Sequence, residues 1–277
     1  MGRIISVFNQ KGGVGKTTSV INLSAALGKM GKKILVIDID PQGNATSGLG
    51  IDKNSLRESI YDVIINNLDI ETVIMSTSAE NVDIVPSNVD LAGAEIELIE
   101  KEDRELSLKK SLVSVKDDYD FLFIDCPPSL GLLSINGLAA SDSVIVPIQC
   151  EYYALEGVSQ LMETILLVKR SLNPDLEIEG VILSMFDGRT NLSIQVVEEV
   201  KKYFKDKVYT SIIPRNVRLA EAPSHGLSVI DYDPNANQAN EYRELARKID
   251  GNDTFVIPKP MTQERLEELL MEYGVLD

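Results

Sequence analysis

The chain alternates between short apolar runs and stretches with helical periodicity. Seven segments rich in β-branched and other apolar residues predict strands, and the first is RIISVF near the N-terminus. The others are KKILVID, NVDIVPS, YDFLFIDCP, SDSVIVPIQ, IEGVILSMF and VYTSIIPRN. Several are almost uninterrupted apolar runs, which is typical of parallel strands covered on both faces.

Helical patterns separate these strands. The stretch TTSVINLSAALGKMG has apolar residues on one helix face, and Gly31 is a suitable end for that helix. Further helices are predicted over residues 90–102, 105–116, 157–171, 193–204 and 235–249. The alternation predicts an α/β fold with a doubly wound, mostly parallel sheet flanked by helices.

The C-terminal end has a different pattern. We expect one domain over residues 1–250 and an acidic extension with a short helix over residues 251–277. That helix either packs on the domain or serves as an interaction element. Helices that lie on membrane surfaces carry Lys and Arg on their polar face, and this segment does not, so we expect no stable membrane association.

Composition narrows the class of protein. Hydrophobic residues make up 44% of the 277 residues and charged residues 25%, as in ordinary globular proteins. Two cysteines, Cys126 and Cys150, are too few for a disulfide framework and fit a reducing, cytoplasmic compartment. The formal net charge of −16 means that any DNA contact needs basic residues gathered on one face.

A glycine-rich stretch, NQKGGVGKTT, follows the first strand and opens the first helix. It nearly matches the phosphate-binding pattern G-x-x-x-x-G-K-[ST]. Its glycines allow successive backbone N–H groups to face one anion, Lys16 can reach phosphates, and Thr17 can hold Mg²⁺. The first glycine of the pattern is replaced by Gln10, and a second lysine, Lys11, stands beside it.

Acidic residues follow two later strands. Asp38 and Asp40 lie at the end of the second strand, where a carboxylate orients a water or a metal, or only shapes a turn. Asp125 ends the run FLFID and has the setting of a Walker B aspartate that holds Mg²⁺ directly or through water. The loop after it is stiffened by two prolines.

Together these motifs resemble the deviant Walker A ATPases of the P-loop NTPase type, and in particular the ParA/Soj group of DNA-partition ATPases. The resemblance extends to about Ile249 and rests on KGGVGKTT, DIDPQGNATSGLG, FLFIDCPPSLG, MFDGRTNLS and IPRNVRLAEAPSHG. It implies an ATP-bound homodimer, non-specific binding of double-stranded DNA, and slow hydrolysis of ATP accelerated by a ParB/Spo0J-like partner. It also implies a cytoplasmic, nucleoid-associated protein that segregates chromosomes or plasmids.

The resemblance also implies roles for single residues. Lys11 crosses to the phosphates of the other subunit, Lys16 binds the phosphates of its own subunit, and Asp40 positions the attacking water. Mg²⁺ is held by Thr17 and Asp125. The nucleotide contacts implied are Lys11, Gly12, Gly13, Val14, Gly15, Lys16, Thr17, Thr18, Pro214 and Asn216, with Met185 a weaker candidate.

DNA contacts are implied for two arginines, Arg189 and Arg218. Other basic residues recur late in the chain and either contact DNA or are solvated surface charges; these are Lys201, Lys202, Lys205, Lys207 and Arg215. Affinity for DNA of any sequence comes from Lys and Arg that contact the phosphate backbone. A dimer would present two copies of one basic face and would therefore bind DNA more tightly.

Two other functions remain open at this stage. A MinD-like ATPase that places the division site shares the loop and the aspartates, but a basic terminal helix would be expected of it. A nucleotide-gated scaffold or regulator would bind DNA and partners without useful turnover. Stimulation of ATP hydrolysis by a partner distinguishes the scaffold from the partition enzyme.

Overall fold

The computed structural model describes residues 2–151, 154–187, 189–204 and 207–251. The strands are β1 (Arg3–Val7), β2 (Ile34–Asp38), β3 (Met75–Ser76), β4 (Val82–Val85), β5 (Phe121–Asp125), β6 (Ser143–Gln149), β7 (Glu177–Phe186) and β8 (Val208–Pro214). The helices are α1 (Lys16–Lys29), α2 (Asn44–Gly48), α3 (Ile60–Asn66), α4 (Leu91–Glu97), α5 (Ser107–Leu112), α6 (Leu132–Ala140), α7 (Ala154–Ser171), α8 (Asn191–Phe204), α9 (Val217–Glu221), α10 (Val229–Tyr232) and α11 (Asn237–Asp250).

All eight strands form one sheet in the order β3-β4-β2-β5-β1-β6-β7-β8. Every pair is parallel except β3–β4 at the edge, so the predicted mostly parallel sheet is confirmed. Strand β3 was not predicted, because a two-residue strand is too short to show a periodicity. β1 lies at the centre, and its carboxyl end meets those of β5 and β6.

Helices cover the sheet on both faces. Alternate residues of β2, for example Leu35 and Ile37, pack with α3 to α8 on one face. Their neighbours Ile34 and Val36 pack with α1, α2, α10 and α11 on the other. Because both sides of each central strand are buried, its sequence is a continuous apolar run instead of an alternating one.

The helix predicted over residues 90–102 is shorter than expected. Helix α4 ends at Glu97, a tight 3₁₀ turn spans Leu98–Glu100, and Lys101 is extended. The Lys101 ammonium then donates to the carbonyl groups of Ile64 and Ile65, at 2.8 and 2.6 Å, at the end of α3. A cation there satisfies carbonyls left free by the end of the helix, so a tertiary contact overrides the local helical pattern.

The prediction of one helix over residues 105–116 is also wrong in its extent. That segment contains a 3₁₀ turn at Arg104–Leu106, the short helix α5, and another 3₁₀ turn at Lys116–Asp118. Helix α6 was missed because it is buried on most sides and its sequence, LLSINGLAA, shows no clear polar face. No helix within the described ranges has the length and apolar character needed to cross a membrane.

The other predicted helices are confirmed with boundaries shifted by a few residues, and Gly31 follows the end of α1 in the left-handed region, with φ of 84°. Of the acidic extension predicted over residues 251–277, all but Gly251 lies outside the described residues. Its short helix and the domain boundary stay predictions.

Close packing of α1 on the chain before β4 requires a glycine. A Cβ atom added at Gly28 would lie 2.1 Å from the carbonyl oxygen of Glu80, although Ala is the better helix former. We expect Gly28→Ala to lower the free energy of unfolding by about 1–3 kcal/mol, measured by chemical denaturation. The matched control is Gly157→Ala in α7, where no atom of the described residues lies within 4 Å of the added Cβ. That substitution should be neutral or stabilising, and equal losses for the two variants would contradict this packing.

Candidate functional site

The glycine-rich loop lies at the carboxyl end of the central strand. Asn9 fixes its first part: its side-chain amide donates to the Pro147 carbonyl at 2.8 Å, and its oxygen accepts from the Lys11 N–H at 3.0 Å. Gln10, which replaces the usual glycine, donates to the Thr164 hydroxyl on α7 at 2.8 Å. The departure from the usual pattern therefore ties the loop to the neighbouring helix.

Two glycines of the loop adopt conformations that other residues avoid. Gly13 and Gly15 have φ of 73° and 93°, in the left-handed region. Gly15 precedes the first residue of α1 and provides no side-chain cap, so the helix presents free backbone N–H groups to the loop. The carbonyl of Val14 turns inward and accepts from the Ser184 hydroxyl at 2.7 Å. This geometry suits an anion such as a phosphate.

Lys16 points into the loop from the first turn of α1. Its side chain is buried, with 7% of the residue exposed, and its ammonium donates to the Lys11 carbonyl at 3.1 Å. Burial lowers the pKa of Lys16, while the nearby Asp125 opposes that shift. A desolvated lysine held over a curled backbone is suited to bind a phosphate that enters the loop.

Asp125 lies beside Lys16 at the end of β5. It pairs in register with Val7 on one side and with Asp38 on the other. Within the described chain, both of its carboxylate oxygens are buried and have no hydrogen-bond partner at normal geometry. Burial, reinforced by Asp38, raises the pKa of Asp125 well above its usual range, and the neighbouring Thr17 hydroxyl opposes the shift.

An orphaned buried carboxylate next to a threonine hydroxyl fits Mg²⁺. This cation is bound through one or two protein oxygens together with waters and substrate phosphates. Thr17 and Asp125 could therefore hold it beside a nucleotide, directly or through water, as the sequence predicts.

Asp38 has a structural role in the same group of acids. It is fully buried, and one of its oxygens accepts from both the backbone and the hydroxyl of Thr46, at 2.9 and 2.7 Å. Its other oxygen accepts from the Asp40 N–H at 3.1 Å. Burial raises the pKa of Asp38 to about 6 despite these bonds. Thr46 was not predicted, because its contact with Asp38 depends on the turn that leads from β2 into α2.

Asp40 lies at the rim of the site with 7% of the residue exposed. One of its carboxylate oxygens accepts from the Gln42 N–H at 2.9 Å, and its carbonyl accepts from the Ser87 hydroxyl at 2.8 Å. Both bonds fix the turn after β2. The carboxylate is therefore held near Lys16 and Asp125, where the position of a water could be controlled.

Lys11 is turned away from this buried group. Its side chain is 42% exposed, and its ammonium lies 3.6 Å from a carboxylate oxygen of Glu151, which follows β6. Glu151 also lies 3.9 Å from Arg215 and accepts from Gln149 at 2.5 Å. Glu151 was missed in the sequence, where its place just beyond the carboxyl end of a strand was the available signal.

The three residues expected near adenine lie at the ends of β7 and β8. Met185 has a positive φ of 54° where the register of β7 and β8 shifts, and Pro214 pairs with Phe186. Asn216 caps α9 by accepting from the Arg218 N–H at 2.8 Å, and it donates to Gln238 at 3.0 Å. Ser184 joins this edge to the loop, so adenine contact stays a prediction that this placement permits.

The two predicted DNA-binding arginines follow β7 and β8. Arg189 is 82% exposed and forms an ion pair with Asp187. Arg218 is half exposed and lies near Glu221 and Asp233. Of the other basic residues, Lys201 is half-buried and its pKa is lowered to about 8 by burial, while Lys202 pairs with Glu199. Lys205 lies outside the described residues.

Comparison with known proteins identifies the family. The AAA domain profile matches residues 2–178. The chain is 58% identical to the sporulation initiation inhibitor protein Soj of Bacillus subtilis (strain 168), over 91% of this chain and all of that protein. It is 50% identical to the chromosome partitioning protein ParA of Myxococcus xanthus (strain DK1622), over 94% of this chain and 92% of that one.

Among solved structures, cobyrinic acid a,c-diamide synthase of Mycobacterium smegmatis with bound ADP and magnesium superimposes with a TM-score of 0.80. It is 38% identical and covers 91% of this chain and 95% of its own. The chain therefore belongs to the ParA/Soj family of partitioning ATPases, within the deviant Walker A class of P-loop proteins.

The buried, unpaired carboxylate of Asp125 should lower the free energy of unfolding of the chain. Because the pKa of Asp125 is raised in the folded chain, its ionisation opposes folding, and stability falls as the pH rises above the ordinary Asp pKa of about 4. Without nucleotide, we expect Asp125→Asn to raise the free energy of unfolding by about 1–3 kcal/mol, with a gain that grows with pH. The measurement is chemical denaturation across a pH series.

The control for this prediction is Asp117→Asn, which removes an exposed carboxylate just before the amino end of β5, the end of the strand opposite to Asp125. It should leave the stability nearly unchanged. A loss of stability in Asp125→Asn at high pH would show that the carboxylate is satisfied in the folded chain and would contradict the proposed cation site.

Proposed function

We propose that this chain is an ATP-dependent, dimerising ATPase that binds double-stranded DNA without sequence preference. It segregates chromosomes or plasmids with a ParB/Spo0J-like partner that accelerates hydrolysis, and it associates with the nucleoid. Membership of the ParA/Soj family supports this proposal, as does the related synthase structure with ADP and magnesium.

The observation that carries the proposal is the different placement of the two lysines in one loop. Lys16 is buried over the loop beside Asp125, whereas Lys11 projects from the exposed rim. An exposed cation at the mouth of a phosphate site is poorly used by its own subunit and available to a second one. The nucleotide would then join two copies of the chain, with one Lys11 reaching across from each.

Each residue of the site has a role in this proposal. The loop N–H groups and Lys16 bind the phosphates and orient them. Thr17 and Asp125 would hold Mg²⁺, which would supply positive charge beside the phosphoryl group. Asp40 positions the water that attacks the γ-phosphorus atom. As the water oxygen bonds to the γ-phosphorus, the bond to the bridging oxygen of ADP breaks and the water gives up its proton to the phosphate that forms. ADP and phosphate are the products, and once phosphate leaves, the dimer loses the γ-phosphate contacts of Lys11.

Substitution of Lys11 tests whether ATP-dependent dimerisation requires this lysine. We expect Lys11→Ala to bind ATP and remain monomeric, with its rate of ATP hydrolysis lowered about 100-fold, because the transition state loses a cation supplied across the interface. Light scattering after size exclusion gives the mass, and phosphate release gives the rate. The control is Lys110→Ala, an exposed lysine on α5 that pairs with Asp103. An ATP-bound dimer of Lys11→Ala would contradict the role of this lysine.

DNA binding is tested by its dependence on salt. A plot of log affinity against log salt concentration has a negative slope, and the size of that slope decreases by about 0.9 for each lost phosphate contact. We therefore expect Arg189→Ala, which removes one contact from each subunit of a dimer, to reduce the slope by about 1.8. Arg170→Ala at the end of α7 is the control, because this exposed arginine precedes the amino end of β7, whereas Arg189 follows its carboxyl end. An unchanged slope for Arg189→Ala would exclude this arginine from the DNA surface.

The most informative single experiment is binding of the full chain to random-sequence duplex DNA with ATP, ADP or no nucleotide. The proposal predicts tight binding with ATP alone and strong weakening by salt. Equal binding in all three states would contradict a nucleotide-controlled DNA surface.

A further inference from the structure

Arg189 is engaged by a carboxylate two residues before it. Its Nε and Nη2 donate to the two oxygens of Asp187, at 2.9 and 2.8 Å, and its backbone N–H donates to the same side chain at 3.1 Å. These bonds hold the pKa of Asp187 at about 2, so the carboxylate is charged at any physiological pH. The paired fork of the guanidinium is the same geometry that binds phosphate bidentately.

Arg218 lies between two carboxylates on the neighbouring strand connection. Its Nη1 donates to Glu221 at 3.0 Å, and its Nε lies 3.5 Å from Asp233. The guanidinium also lies 5.9 Å from the ring centroid of Tyr232. Arg218 therefore keeps a definite orientation, and its charge is more than balanced by its neighbours.

The local charge works against binding to a polyanion. Arg189 with Asp187 carries no net charge, and Arg218 with its two carboxylates carries a net charge of minus one. The whole chain adds a further repulsion, since its formal net charge is −16. A DNA phosphate that binds the Nε–Nη2 side of Arg189 must displace the Asp187 carboxylate, and one that binds Nη1 or Nε of Arg218 competes with Glu221 or Asp233.

We propose that Asp187, Glu221 and Asp233 are competitors built into the DNA surface, which hold Arg189 and Arg218 in the absence of DNA and reduce affinity for the phosphate backbone. This inference rests on the proposed function, because it assumes that the two arginines contact DNA. Its consequence is that one chain binds weakly and that stable binding requires the combined arginines of two copies.

The test neutralises the competitors without touching the arginines. Asp187→Asn and Glu221→Gln, alone and together, are compared with wild type for binding of random-sequence duplex DNA at several salt concentrations with ATP. Exposed ion pairs are weak individually, so we expect tightening of about threefold to twentyfold for each single variant and more for the pair, since a dimer carries two copies of each. The retained arginines should also give a steeper salt dependence.

The matched control is Asp103→Asn. This carboxylate is 66% exposed, pairs with Lys110 at 2.9 Å and precedes α5, away from the strand connections that carry the arginines. Its backbone lies in the left-handed region, which Asn tolerates. The substitution makes the same change in total charge and breaks a similar ion pair, so it measures the general electrostatic effect.

The outcomes separate this inference from the proposed function. Tighter binding by Asp187→Asn or Glu221→Gln than by Asp103→Asn supports competition. Binding that these variants strengthen no more than the control, or weaken, overturns the inference and leaves the DNA-binding function intact. Failure of wild type and all variants to bind DNA with ATP overturns both. The mass of each ATP-bound variant is measured in parallel, so that altered dimerisation is not mistaken for altered contact with DNA.

Discussion

The candidate site is organised around the unsatisfied carboxylate of Asp125, which ends β5 between β1 and β2 in the buried centre of the sheet. Burying a charged oxygen without a partner is unfavourable, and here it stands beside Asp38 and within the field of Lys16. The strands that place these groups are held by cores on both faces, so the chain cannot relax around them. A nucleotide with Mg²⁺ would satisfy these buried charges together, which makes ligand binding part of the stability of the site.

The glycine-rich loop places its two lysines in different environments. Its backbone curls around one anion while Gln10 ties the loop to α7, and this leaves Lys11 at the rim near Glu151. Lys11, which departs from the usual phosphate-loop pattern, is thus the exposed lysine, and Lys16, which fits that pattern, is the buried one. In the proposed dimer, the exposed Lys11 would serve the phosphates of a second copy of the chain.

Much of this arrangement could be predicted from sequence, because strands buried on both faces give long apolar runs and the loop residues are contiguous. What could not be predicted depends on distant contacts. Lys101 ends a helical pattern by capping α3, and Glu151, which meets Lys11, lies 140 positions after it in the chain. Asn216 was expected only through family resemblance, and its capping of α9 emerges from the backbone geometry. Asp187 and Arg189 are only two residues apart, but their pairing could not be predicted because it depends on the backbone turn that joins them.

The central claim is that the nucleotide joins two copies of the chain, and the most direct measurement is the mass in solution of Asp40→Ala with Mg²⁺ and either ATP or ADP. Without the carboxylate that positions water, hydrolysis should stop and the ATP state should persist. The account predicts a dimer with ATP and a monomer with ADP. A monomer that binds ATP, or the same mass with both nucleotides, would contradict it.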